Sequence, residues 1–69
     1  MTQPTQTFGG RLRAARLRRF LTQKQLAALV GVDWRVVQRW ESDRARPYPR
    51  NLERLCAALG VSYDELALD

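Results

Sequence analysis

The chain contains no histidine and one cysteine, Cys56. A lone thiol cannot close an intramolecular disulfide, and a Cys/His zinc site would lack a second ligand of either type. Cys56 lies in the apolar pattern "RLCAALG" and reads as a small buried hydrophobe. No Gly-rich phosphate loop and no carboxylate cluster is present, and nothing adjacent would activate the thiol. The expectation is therefore no catalytic residue, no metal and no cofactor. No apolar run approaches the roughly 18 residues a membrane span needs. The opening "MTQPTQTFGG" lacks the apolar stretch of a secretory signal, which points to a cytoplasmic protein with no membrane partner. Alternation of apolar and polar residues, the mark of a half-buried strand, is missing throughout.

Acidic residues are scarce. Seven Asp and Glu face twelve Lys and Arg, a net charge of +5 in 69 residues. Every basic residue lies between Arg11 and Arg54, whereas the last nine residues carry only acids, Asp64, Glu65 and Asp69. Such a balance suggests a polyanionic partner, nucleic acid before an anionic membrane, against the plain alternative of a solvated basic surface. The length allows one small domain, burying roughly 60% of the surface its unfolded chain exposes.

Helical signals fill the chain. Residues 1–7 are polar, contain Pro4 and read as a flexible arm, followed by one domain over 8–69. "GRLRAARLRRF" predicts helix one, with Leu12, Ala15, Arg16 and Phe20 near one face. Thr22 with Gln25 forms a capping box before helix two, 23–30, with Leu26, Ala27 and Val30 inward. Gly31 stands where a helix end takes a left-handed residue. Asp33 caps helix three, Trp34 to Ser42. Pro47 and Pro49 break the chain before helix four, 50–59, with Leu52, Leu55, Cys56 and Leu59 inward. Gly60 ends it, and Ser62 with Glu65 caps a short helix five at 63–67. The fold class is all-α: a compact five-helix domain.

On a wheel of about 100° per residue, helix three separates the two tryptophans. Trp40 joins Val36, Val37 and Glu41 on the inner side. Trp34 falls with Arg35, Gln38, Arg39 and Ser42. Arginine can pair with guanine O6 and N7, glutamine with adenine N6 and N7, and an apolar ring can meet a thymine methyl. The same residues also suit an ordinary solvated helix face. The unit of helix two, glycine turn and helix three carries more weight, because two helices across a 3–4-residue turn describe a helix-turn-helix.

The segments "GRLRAARLRR", "LTQKQLAALVGV", "VVQRWE" and "LERLCAALGVSYDEL" resemble the lambda-repressor-like helix-turn-helix family, the Xre/Cro group of bacterial and phage regulators. The resemblance covers about 8 to 67. It implies a sequence-specific regulator of transcription on double-stranded DNA, a repressor reading a pseudo-palindromic operator through the major groove as a homodimer. It places Trp34, Arg35, Gln38 and Arg39 at or beside base-reading positions. Gln23, Lys24, Ser42, Arg44, Arg46 and Arg50 fall where the family meets the phosphates, Arg50 also toward the minor groove. Arg16 and Glu41 match a largely buried ion pair, and both lie on inner faces here, where each charge would account for the other.

The chain departs from the family's pattern in places. Asp43 and Phe20 stand where glycine is frequent, Phe20 also where asparagine is, and Trp34 where relatives have a polar residue. The loop from Asp43 to Pro49 is about one residue longer than in some members. Three readings of Trp34 stand at this point: contact with a thymine methyl or a sugar, packing against the start of helix two, or contact with a protein. The same fold also serves as a protein-binding module, an antitoxin or adaptor. Under the DNA-binding reading the segment from Val61 to Asp69, beyond the DNA-facing half, is a candidate dimer surface or simply closes the core.

Overall fold

A computed structural model describes residues 7–67. Most of the expected arm, 1–6, and the last two residues lie outside that range. The elements run α1 (Phe8–Arg18), α2 (Gln23–Val30), α3 (Trp34–Glu41), α4 (Pro49–Leu59) and α5 (Tyr63–Leu66). The caps explain the starts. Thr7 accepts from the Gly10 N–H at 3.0 Å, so α1 begins at Phe8, ahead of the expected Gly10. Thr22 and Gln25 exchange bonds of 3.0 and 2.8 Å as a capping box. Asp33 accepts from the Arg35 N–H at 2.8 Å. Pro49 occupies the first position of α4, where its missing N–H costs nothing.

Four helices end in the same way. A backbone N–H reaches five residues back, Leu21 to Arg16, Val32 to Ala27, Arg44 to Arg39 and Val61 to Cys56. The residue before each donor must then be left-handed. Gly31 and Gly60 meet that requirement at φ 88° and 66°, but Phe20 and Asp43 meet it at 56° and 61°. Asp tolerates this region better than most side chains, whereas a bulky residue is strained there.

Phe20 is consequently not inward. It is 92% exposed. Its apparent place on the inner stripe assumed a helix that continued past Arg18. Phe8 fills the core instead, one turn before Leu12, at 2% exposure. Phe20→Gly should raise stability in urea unfolding by about 1 kcal/mol, because it relieves left-handed strain and removes no packing. An unchanged midpoint would show that the turn holds Phe20 without strain.

The core unites Leu12, Leu26, Val37, Trp40, Leu55 and Leu66, one or more from every helix. Leu52 and Cys56 are half-buried at its edge, so the thiol is less enclosed than its apolar surroundings suggest. Helix α3 packs on α1 and α2, α4 packs on α2, and α5 touches α1 and α4. Gly9 permits a close approach. A Cβ there would overlap the carbonyl oxygens of Glu41 and Trp40, the latter at 2.6 Å. The start of α1 is thus pressed against the end of α3.

Candidate nucleic-acid interface

The turn at Gly31 sets α3 across α2, and the apolar residues of both helices fix which side of α3 remains outside. Val37 and Trp40 are buried, while Arg35, Gln38, Arg39 and Ser42 are exposed. With Arg44 these four line a shallow depression of about 350 Å³. Among the described residues, no hydrogen bond or ion pair takes the guanidinium groups of Arg35, Arg39, Arg44, Arg46 or Arg50. Their donors are available to an external acceptor. Ser42 is partly engaged, since its hydroxyl donates to the Arg39 carbonyl at 3.2 Å.

Trp34 is half-buried and packs against the core edge. The Lys24 ammonium lies 5.6 Å from its ring centroid and the Arg35 guanidinium 5.9 Å. A cation over an aromatic face is attracted by about 0.5–1 kcal/mol when exposed. The ring therefore ties the first turn of α2 to the first turn of α3. Packing against the start of α2, one of the three readings of Trp34, describes the free domain.

The ion pair behind the face is a fork. Arg16 Nε donates to Glu41 Oε2 at 2.6 Å and Nη2 to Oε1 at 3.0 Å. Nη1 donates to the Leu21 carbonyl at 2.8 Å, on the turn leading into α2. The side chains are 9% and 4% exposed. Gln23 joins them, its amide Nε2 donating to Glu41 Oε1 at 3.1 Å. In the free domain, then, part of the Gln23 amide is committed to α3. Three elements converge on one carboxylate, and α3 is held at a fixed angle to α2.

Two further contacts escaped the sequence reading. The Gly9 N–H donates to Asp43 Oδ1 at 2.8 Å. The Arg46 guanidinium lies over the Phe8 ring, 4.8 Å from its centroid. Gly9 and Asp43 are far apart in sequence and nothing local pairs them. For Phe8 a signal existed, an aromatic residue directly after a Thr cap. The expected phosphate-contacting residues do not all share one recess: Arg46 lines a separate groove with Phe8, α4 and α5, while Arg44 lies with the exposed face of α3.

The helix-turn-helix family model matches residues 12–66. This chain belongs to the lambda-repressor-like helix-turn-helix family, the Xre/Cro-type DNA-binding regulators. Solved members are similar along nearly its whole length. The P22 c2 repressor in complex with a synthetic operator is 37% identical, covering 90% of this chain and 94% of that one, with a TM-score of 0.86. The restriction-modification controller protein C.AhdI from Aeromonas hydrophila is 33% identical over 93% and 96% of the two chains, with a TM-score of 0.83. No curated protein matches the sequence.

Within this helix-turn-helix domain, no group of described residues could hold a metal ion, and no described helix is long and apolar enough to cross a membrane. Burial pushes the Cys56 thiol up, and Glu65 adds to the shift. Such a thiol is less reactive than an ordinary one.

Proposed function

We propose that this domain is a sequence-specific double-stranded DNA-binding repressor, acting as a homodimer on a pseudo-palindromic operator. The carrying observation is the outer face of α3, where Arg35, Gln38 and Arg39 hold unpaired donors on a helix fixed by a buried ion pair. An α-helix fits the major groove and leads with its N-terminal residues. Arg35 and Arg39 read base edges, and Gln38 lies between them. Trp34 stands at the leading end, beside the first base pair of the half-site. Lys24, Ser42, Arg44, Arg46 and Arg50 meet the phosphates. Gln23 contributes through the N-terminus of α2 and the amide proton that Glu41 does not use. The operator-bound P22 c2 repressor, at 37% identity, supports the assignment.

Selection from random duplexes should return a site with two related halves about one helical turn apart. With some 6–10 phosphates engaged by the dimer, affinity should fall by about 10³–10⁵ between 50 and 200 mM salt. Arg35→Ala combined with Arg39→Ala should abolish selection, since each bidentate base contact contributes about 1–3 kcal/mol of discrimination. A salt-independent affinity, or an unaltered site preference in the double variant, would overturn the assignment. Retention of a protein partner by that double variant would instead favour the protein-binding module.

A further inference from the structure

We infer that Phe8 is a positioning residue for DNA binding, acting through Arg46. The inference deepens the DNA-binding reading and rests on it. Phe8 is 2% exposed and part of the core, yet its ring carries the Arg46 guanidinium at 4.8 Å. Arg46 itself is exposed and makes no hydrogen bond among the described residues. Stacking uses the flat face of a guanidinium and leaves its N–H edge free for a phosphate oxygen. An arginine already held over a ring has less freedom to lose on binding than one swinging in solvent.

The surroundings favour the same role. Arg46 belongs to the segment between α3 and α4, which carries Arg44 as well. That segment is anchored to the first turn of α1 at two points, the Phe8 ring and the bond from the Gly9 N–H to Asp43 at 2.8 Å. Pro47 and Pro49 restrict its backbone from the far side. The first turn of α1 therefore sets where the arginines of this segment can reach. Phe8 needs no contact with DNA to do so.

The test is a double-mutant cycle on binding to a fluorescein-labelled, mixed-sequence DNA duplex, read by anisotropy over a salt series. Phe8→Leu keeps an apolar filler and removes the π face. Arg46→Ala should weaken binding about 5–10-fold at low salt and make the salt slope shallower by about one for each protomer bound. Phe8→Leu should lose a few-fold and flatten the slope in the same direction. In the Arg46→Ala background, Phe8→Leu should change nothing further, because losses routed through one residue do not add. Equal losses in both backgrounds would mark a folding defect and overturn the inference. Tighter binding by Phe8→Leu would overturn it too, showing that the ring withholds Arg46 from DNA. Failure of the parent protein to bind any duplex would remove the DNA-binding reading along with it.

Discussion

Arg16→Ala should lower the unfolding free energy by about 3–5 kcal/mol, the loss expected when one partner of a buried ion pair is removed. The magnitude follows from what remains behind. Glu41 would keep a carboxylate with 4% side-chain exposure and only the Gln23 amide, at 3.1 Å, to satisfy it. The Leu21 carbonyl would lose its donor at the same time. Desolvation of an unpaired carboxylate costs far more than one hydrogen bond returns. A more informative comparison is the pair replaced as a unit by apolar residues of similar volume, Arg16→Met with Glu41→Leu. That double variant should be much closer to the parent, because a buried ion pair gains little over good packing. It should nonetheless bind DNA less well, since α3 would no longer be tied to α1 and to Gln23 by directional bonds. Urea unfolding of the three proteins decides the matter. A loss below about 1 kcal/mol for Arg16→Ala would show the pair to be no stronger than a surface bridge.

The sequence carries the local parts of this architecture well. Thr22 with Gln25, Asp33, Gly31 and Gly60 are short-range signals, and each determines one helix end from its immediate neighbours. The division of the two tryptophans follows from helical period alone and needs no knowledge of other helices. Phe20 and Phe8 mark where that reasoning stops. Both fall on the stripe of Leu12 and Arg16, and period cannot say at which end the helix stops extending the stripe. The Thr7 cap and the closure from Leu21 to Arg16 decide it. Contacts distant in sequence were less accessible still. The pairing of Arg16 with Glu41 was suggested by family resemblance and by two inward charges needing each other. Gly9 with Asp43, Gln23 with Glu41 and Arg46 with Phe8 join groups that no local pattern pairs in a one-dimensional reading. Of the candidate interface, residue type and face were legible. The prior commitment of Gln23 to Glu41, and of Lys24 to the Trp34 ring, depends on tertiary packing.

Trp40→Ala should also cost about 3–5 kcal/mol, by the cavity a buried aromatic leaves. Trp40 is 3% exposed, and its carbonyl lies against Gly9, where α1 meets the end of α3. Collapse around the void is restricted there: the ion pair fixes the neighbouring residue, Glu41, and Asp43 is bonded to Gly9. A chain of this size has only about 3–10 kcal/mol in total. The variant should therefore be largely unfolded or near its midpoint at growth temperature, and the signal to follow is helical circular dichroism. Trp40→Phe keeps most of the apolar volume and should lose far less, which separates cavity formation from a general intolerance of change. The variant also provides an internal control on the outer face of α3. In Trp40→Phe the sole tryptophan is Trp34, half-buried beside Lys24 and Arg35. Its fluorescence should shift on addition of operator duplex, as Lys24 turns toward phosphates, Arg35 toward base edges and the ring is covered. A folded Trp40→Ala protein retaining more than about half the parental stability would mean that Leu12, Leu26 and Val37 hold α3 without the indole.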